Sequence, residues 1–140
     1  RDAIESLESF NGVKRRLEFK GEYSGIKIYD DFAHHPTAIS FTAKAIRDEF
    51  KDKKIFGIIE LGSNTMSSGY HGQAIYSSIN NFDRVEWLDH NNVLEEENSY
   101  QNHDDFLAAV KNAIRNYEVV VLMTNKDSNK IIQPLIDYLS

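Results

Sequence analysis

The chain has 140 residues, which is enough for one domain with a buried core. Its formal net charge of −6 and the lack of clustered Lys and Arg argue against general nucleic-acid binding, which depends on counterion release. The sequence contains no cysteine, which excludes disulfides and thiolate metal sites. No apolar run approaches the roughly 20 residues of a membrane-spanning helix. We therefore expect a cytoplasmic protein.

The chain begins at Arg1 without a signal-peptide pattern, which suggests a segment of a longer protein. Hydrophobic periodicity and turn residues predict its elements. In chain order these are a linker helix over 1–12, strands over 17–23 and 26–31 joined at Ser24-Gly25, a helix over 36–50, a strand over 55–61, a loop over 62–69, a helix over 72–80, a strand over 85–88, a surface loop over 89–101, a helix over 102–116, a strand over 119–123, a loop over 124–129 and a helix over 130–139. A hairpin followed by alternating helices and strands predicts an α/β fold, with a mostly parallel sheet flanked by helices and an N-terminal β-hairpin.

Two of the predicted helices have a clear apolar face. These faces consist of Ile39, Ala43 and Ile46 on the first helix, and of Phe106, Val110 and Ile114 on the second. Asn102 is placed to cap the second helix near Asp105.

The run from Asp30 to Pro36 places two carboxylates and two imidazoles between a strand and a helix. Pro36 suits the first helical position, because its missing N–H would be unpaired there. The N-terminus of a helix favours bound phosphate, so Asp31 and His34 could hold a nucleotide ribose and phosphate. The alternative is a polar strand end followed by a helix cap. That is the commoner role for any one such residue, but four ionisable residues within six positions favour a ligand site.

Ligands of parallel α/β sheets bind beyond the carboxyl ends of the strands. The candidate segments are therefore the 30–36 junction and the loops over 62–69 and 124–129. In the second of these, the run Ser63-Asn64-Thr65 can recognise a polar ligand, although ordinary loop chemistry explains it equally well.

Signatures of a phosphate loop and of a metal site are missing from the sequence. Gly57 and Gly62 have the spacing of a phosphate loop, but Ser63 and Asn64 stand where Lys and Ser or Thr are needed. Zinc needs three or four converging ligands. We predict no metal site, because the isolated histidines are expected to be surface or capping residues: His71, His90 and His103.

Two segments closely resemble the start of the C-terminal domain of Mur ligases, the ATP-dependent amide-forming enzymes of peptidoglycan assembly. The first reads Gly-Val-Lys-Arg-Arg-Leu-Glu over 12–18, and the second reads Tyr-Asp-Asp-Phe-Ala-His-His-Pro-Thr-Ala-Ile over 29–39. The resemblance covers nearly the whole chain. It implies a Rossmann-like fold, which agrees with the predicted order of elements.

The resemblance implies that residues 1–140 are the third domain of a three-domain enzyme. In this family the first domain holds the UDP-sugar, the central domain carries the phosphate loop and Mg²⁺, and the third closes over ATP and the amine substrate. The resemblance therefore implies ATP, Mg²⁺ held mainly by the central domain, and UDP-N-acetylmuramate as ligands of the whole enzyme. It assigns no catalytic residue and no metal ligand to this domain, and the fragment alone is expected to be inactive.

Within the family, Ala33 and the run Ser63-Asn64-Thr65-Met66 are most similar to the ligases of peptidoglycan recycling. Those enzymes join UDP-N-acetylmuramate through an acyl phosphate to the murein tripeptide, L-alanyl-γ-D-glutamyl-meso-diaminopimelate. The resemblance implies that ATP is bound by Arg16, Asp31, His34 and His35, and that the tripeptide is bound by Ser63, Asn64, Thr65 and Met66.

Two departures from the family pattern concern the substrate side. The tripeptide ligases read Glu-Pro-Arg before Ser-Asn-Thr-Met, whereas Glu60 is followed here by Leu61 and Gly62. The family also tends to a Gly-rich loop after the last strand, where this chain has a polar loop over 125–130 whose lysines, Lys126 and Lys130, could supply the missing charge. Two alternatives stay open: the ligase that adds L-alanine to UDP-N-acetylmuramate, and a non-catalytic nucleotide-binding module.

Overall fold

The computed structural model describes residues 17–33, 36–61, 79–90, 98–124 and 126–140. Its elements are β1 (Glu18–Tyr23), β2 (Ile26–Asp31), α1 (Pro36–Glu49), β3 (Ile55–Glu60), β4 (Arg84–Leu88), β5 (Ser99–Tyr100), α2 (His103–Ile114), β6 (Val119–Met123) and α3 (Asn129–Leu139). These strands form one sheet in the order β1-β2-β6-β3-β4-β5. Strands β1 and β2 pair antiparallel and all the other pairs are parallel, which confirms the predicted fold class.

The hairpin of β1 and β2 is closed by a two-residue turn at Ser24 and Gly25. Both residues have positive φ, 54° and 81°, as a hairpin turn with the right-handed twist of its strands requires. The Ser24 hydroxyl donates a hydrogen bond of 2.6 Å to the carbonyl oxygen of Leu139, so the turn is also attached to the end of α3. A bulge between Phe19 and Gly21 bends β1 near its start.

The sheet has a hydrophobic cluster on each face. On one face Ile39 and Ile46 of α1 pack with sheet residues that include Trp87 and Val121. On the other face α2 and α3 pack against β3 and β6, for example through Phe106. The predicted helix faces are confirmed, because all six of their residues are buried: Ile39, Ala43, Ile46, Phe106, Val110 and Ile114.

The prediction of a continuous loop over 89–101 is wrong at its end, where Ser99–Tyr100 forms a short parallel strand beside β4. The amide of Trp87 donates to the carbonyl of Asn98, and the amide of Asp89 donates to the carbonyl of Tyr100. A strand of two residues has no periodicity that a sequence pattern could reveal. It forms because β4 has unpaired backbone groups on that side.

Several helix predictions can be compared with the structure. Helix α2 begins at His103, with Asn102 as the predicted cap: its side chain accepts a hydrogen bond of 2.8 Å from the amide of Asp105. The predicted linker helix over 1–12 lies outside the described residues, as does most of the predicted helix over 72–80, of which the described end is a turn. None of the helices in the described ranges is long and apolar enough to cross a membrane.

Candidate functional site

The carboxyl ends of β3 and β6 lie side by side at one edge of the sheet. After β3, the chain reaches Ile79 and Phe82, which pack on the face of the sheet that carries α1. After β6, it enters α3 on the opposite face. Because neighbouring parallel strands whose connections leave on opposite faces open a ligand crevice, the edge formed by the ends of β3 and β6 is the candidate site.

Glu60 connects three strand ends at this edge. Its side chain is almost fully buried at the end of β3. One carboxylate oxygen accepts a hydrogen bond of 2.7 Å from the hydroxyl of Thr124, which follows β6. The other lies 2.8 Å from Nε2 of His90, which follows β4. Because Thr124 also accepts a hydrogen bond of 3.0 Å from the amide of Lys126, the start of the last loop is attached to the same carboxylate.

A pocket of about 230 Å³ opens beside this network. It contains two carboxylates, two imidazoles and two ammonium groups, contributed by Glu60, His90, His103, Lys126, Asp127 and Lys130. The centroids of the imidazole rings of His90 and His103 lie 5.8 Å apart. The segment after β4 and the start of α2 therefore line the pocket together. The rest of the lining comes from the loop after β6 and the first turn of α3, with Lys126, Asp127 and Lys130.

Asp31 lies at the end of β2 and is almost fully buried. One carboxylate oxygen accepts a hydrogen bond of 2.9 Å from the amide of Ala33. The other accepts from the hydroxyl of Thr42 at 2.9 Å and from the amide of Leu17 at 3.2 Å. Leu17 has a φ of 51°, which is rare for a branched residue, so Asp31 supports a strained entry into β1.

Asp30 has a different partner from its neighbour. Its side chain points to the face of α3 and accepts a hydrogen bond of 2.8 Å from the hydroxyl of Ser128. Both carboxylates are therefore buried and hydrogen-bonded, as buried charges require.

Of the predicted site residues, the structure describes Asp31. The others lie outside the described residues: Arg16, His34, His35, Ser63, Asn64, Thr65 and Met66. Their nucleotide and tripeptide contacts stay predictions. Strands β2, β6 and β3 are neighbours in the sheet. The three predicted ligand segments therefore follow strand ends that lie at one edge of the sheet, as predicted.

The part that His90 and His103 play in the pocket was not predicted from the sequence. The predicted ligand segments follow β2, β3 and β6 but not β4, although His90 comes two residues after that strand. The same rule about carboxyl ends would have identified His90. His103 could not be found in this way, because the short strand β5, which precedes it, had no recognisable pattern.

A bound magnesium ion would need several converging oxygen ligands. Within the described ranges, no three His, Asp or Glu side chains are arranged to hold a metal ion.

Comparison with known proteins gives the family. Residues 15–127 match the Mur ligase glutamate ligase domain. The UDP-N-acetylmuramate–L-alanyl-γ-D-glutamyl-meso-2,6-diaminoheptandioate ligase of Haemophilus influenzae is 46% identical over 85 residues, which are 60% of this chain and 19% of that protein. The UDP-N-acetylmuramate–L-alanine ligase of Christiangramia forsetii is 37% identical over 90 residues, which are 63% of this chain and 19% of that protein.

A solved structure has a similar fold. The murein peptide ligase of Psychrobacter arcticus superposes with a TM-score of 0.76 at 28% identity, over 96% of this chain and 32% of that one. The chain thus spans about a fifth of the length of the curated relatives it matches. Since the matched domain takes in more than half of its residues, the chain belongs to the Mur ligase family.

Proposed function

We propose that this chain is the C-terminal, ATP- and peptide-binding domain of an ATP-dependent amide ligase. The complete enzyme would join UDP-N-acetylmuramate to L-alanyl-γ-D-glutamyl-meso-diaminopimelate in peptidoglycan recycling. ATP would phosphorylate the muramate carboxylate, the tripeptide amine would attack the acyl phosphate, and phosphate would leave. The third domain would contribute positioning and the exclusion of water from the acyl phosphate.

The observation that carries this proposal is the 46% identity to the tripeptide ligase of Haemophilus influenzae. The run Ser63-Asn64-Thr65-Met66 supports the same choice, because it resembles the tripeptide ligases rather than the alanine ligases. The geometry is compatible with it: a pocket with both carboxylate and ammonium groups suits a zwitterionic substrate end.

ATP binding is assigned to the junction between β2 and α1. Asp31 would approach the ribose hydroxyls, and Arg16, His34 and His35 would approach the ribose and phosphates. The position of the junction supports this assignment, because it follows the carboxyl end of β2 and precedes the N-terminus of α1.

Tripeptide binding is assigned to the segment after β3. We expect Asn64→Ala in the full-length enzyme to weaken use of the tripeptide by about 1–3 kcal/mol, since a buried polar partner loses its hydrogen bond. The KM for ATP should stay nearly unchanged. Steady-state kinetics with each substrate varied in turn measures both quantities, and a variant that impairs ATP use while sparing the tripeptide would move this segment to the other ligand.

The decisive test is an acceptor competition with the full-length protein. Purified enzyme receives ATP, Mg²⁺ and UDP-N-acetylmuramate together with equal concentrations of L-alanine and tripeptide, and mass spectrometry identifies the amide formed. We expect the tripeptide product. Formation of the alanine product would support the alternative that the match to the alanine ligase of Christiangramia forsetii suggests. ATP binding without either amide would support a non-catalytic nucleotide-binding module.

A further inference from the structure

We infer that Glu60 is a positioning residue for the proposed ligase reaction. Its buried carboxylate selects the tautomer of His90 and holds the start of the loop after β6, and it thereby determines the shape of the pocket before a substrate enters. For the identity of that substrate the inference rests on the proposed function.

Glu60 and Thr124 continue the sheet beyond its last backbone pair. The register between β3 and β6 ends at Ile59 and Met123. The next residues of the two strands are joined by their side chains, through the hydrogen bond of 2.7 Å from the Thr124 hydroxyl to Glu60. The amide of Thr124 donates a hydrogen bond of 3.1 Å to the carbonyl of Asp31, at the end of β2. Thr124 is therefore fixed from both neighbouring strands.

The hydroxyl of Thr124 carries this constraint into the loop after β6. While it donates to Glu60, its oxygen accepts a hydrogen bond of 3.0 Å from the amide of Lys126. One hydroxyl can make both bonds, because it has a hydrogen to donate and lone pairs to accept. At the other end of the loop, the hydroxyl of Ser128 donates to the buried carboxylate of Asp30. The loop is thus attached at both ends to carboxylates of the sheet.

Glu60 also selects the tautomer of His90. An ionised carboxylate has only acceptor atoms, and Oε2 of Glu60 lies 2.8 Å from Nε2 of His90. Nε2 must therefore carry the proton, which leaves Nδ1 as the acceptor of the neutral ring. The ring is part of the pocket lining, beside His103. Glu60 thus determines which hydrogen-bonding atom His90 has available for the pocket.

The burial of Glu60 is unfavourable for a residue with a structural role alone. A buried carboxylate loses its hydration, and well-packed apolar side chains in its place are often at least as stable. Among the described residues no Lys or Arg pairs with Glu60, and its basic partner is the ring of His90. Its neighbours along the chain are apolar: Ile58, Ile59 and Leu61. Such local conflicts are expected at functional sites, where bonded neighbours hold the groups that contact a ligand.

The tautomer of His90 is the first test. Nitrogen-15 NMR of the histidine rings in the 140-residue chain shows which ring nitrogen carries the proton, at about pH 8.5, where an ordinary imidazole is neutral. The signal that disappears in His90→Gln belongs to His90. We expect the proton on Nε2 alone. A neutral ring whose Nδ1 carries the proton for part of the time would overturn the inference, and this result requires no substitution of Glu60.

The attachment of the loop is the second test. In Glu60→Leu, Thr124 can still accept from the amide of Lys126, so a change at that amide reports the lost bond to Glu60. We expect the Lys126 amide to exchange with solvent about tenfold faster than in the wild type, the effect of losing one hydrogen bond. Thr42→Val is the matched control, because it removes a buried hydroxyl bonded to another carboxylate, that of Asp31. An unchanged Lys126 amide in folded Glu60→Leu would overturn the inference.

Kinetics of the full-length enzyme separate positioning from stability. Glu60→Leu/Thr124→Val replaces both partners of one hydrogen bond with apolar groups, which can leave stability nearly unchanged. We expect the KM for the tripeptide to rise about tenfold in this variant and the KM for ATP to match the wild type, since the backbone bond between Thr124 and Asp31 is kept. Thr124→Ser retains the hydroxyl and should restore the KM for the tripeptide.

A folded double variant with the wild-type KM for the tripeptide would overturn the inference, as would a rise in the KM for ATP of equal size. The acceptor assay distinguishes this inference from the proposed function. An active tripeptide ligase that is insensitive to the double variant refutes only the role of Glu60. An enzyme that forms no amide, but has the expected His90 tautomer and loop attachment, refutes only the proposed function.

Discussion

The carboxylate of Asp31 joins three parts of the domain. Through its hydrogen bonds it attaches the start of β1, the turn after β2 and the middle of α1, at Leu17, Ala33 and Thr42. These hydrogen bonds determine the position from which the Asp31 side chain would contact a nucleotide. The contribution of Asp31 to stability and its proposed contact with ATP can be separated by substitution.

We expect Asp31→Asn to lower the free energy of unfolding by about 1–3 kcal/mol, because an amide nitrogen replaces an acceptor and leaves a buried donor unpaired. It should also raise the KM for ATP in the full-length enzyme. Thr42→Val is the matched control, since it removes one of the donors to Asp31 but not the carboxylate. Urea denaturation and ATP kinetics measure the two effects, and a KM for ATP that stays at the wild-type value would limit Asp31 to stability.

Asp83 stabilises the end of the sheet opposite the pocket. Its carboxylate accepts hydrogen bonds of 2.8 Å from Arg47 and 2.7 Å from the amide of Ile55. Partial burial raises the pKa of Asp83, but these hydrogen bonds and the Arg47 charge outweigh it, so the pKa lies below its ordinary value of 3.8. A group with a lowered pKa in the folded state stabilises the protein above its unfolded pKa and stops doing so as the pH falls through the folded value.

We therefore expect Asp83→Asn to destabilise the domain at pH 7 by about 1 kcal/mol, since the exposed side chain limits the effect. Below pH 3.8 the difference from the wild type should shrink. Asp48→Asn, at an exposed pair with Lys44, is the control and should change stability by less than about 0.5 kcal/mol. Urea denaturation from pH 7 to pH 2.5 provides the measurement. A difference that stays constant over this range would show that Asp83 does not act through its charge.

Among the elements, those with a strong period could be predicted from the sequence. The alternation of Ile26 to Asp31, the turn at Ser24-Gly25 and the apolar run of β3 each contain enough residues to determine one local structure. Strand β5 is too short for such a signal, and it forms through backbone hydrogen bonds to β4. The pocket wall of His90 and His103 depends on that pairing, and so it could not be derived from residues taken along the chain.

Gly57 lets β3 pack closely against the segment that precedes β4. A Cβ atom added to Gly57 would lie 2.8 Å from the Phe82 ring, closer than a real contact allows. We expect Gly57→Ala to destabilise the domain by about 1–3 kcal/mol, the usual result of overpacking a core.

A second substitution tests whether Phe82 is responsible for this cost. In the double variant Gly57→Ala/Phe82→Leu, the smaller side chain should restore part of the loss, so the two effects should not add. Thermal unfolding of the two single variants and the double variant provides the cycle. Additive effects would mean that the cost at Gly57 arises elsewhere in the strand.

At the scale of the whole molecule, the order of the strands creates the site. Strand β6 comes last in the sequence but inserts between β2 and β3, and the helix that follows it lies on the opposite face from α1. The ends of β2, β3 and β6 therefore meet, although their residues lie far apart in the sequence. The position of these loops at one edge of the sheet could be predicted from the sequence, but the network of Glu60, Thr124 and His90 depends on the actual strand order.

The same architecture leads to a prediction about the 140 residues by themselves. Phosphoryl transfer requires a metal ion and cationic groups that neutralise the charge on the transferred phosphate. The residues described here contain no metal-binding group of three side chains, and Gly57, the first glycine of the apparent phosphate-loop spacing, lies inside β3. The residues that follow Gly57 therefore belong to a β-strand up to Glu60 and do not form a phosphate loop. We expect the purified chain to hydrolyse no ATP above the background of its Asp31→Asn variant, in an assay that couples phosphate release to absorbance. Turnover that disappears in that variant would contradict this, because it would show that the domain contains a complete catalytic site.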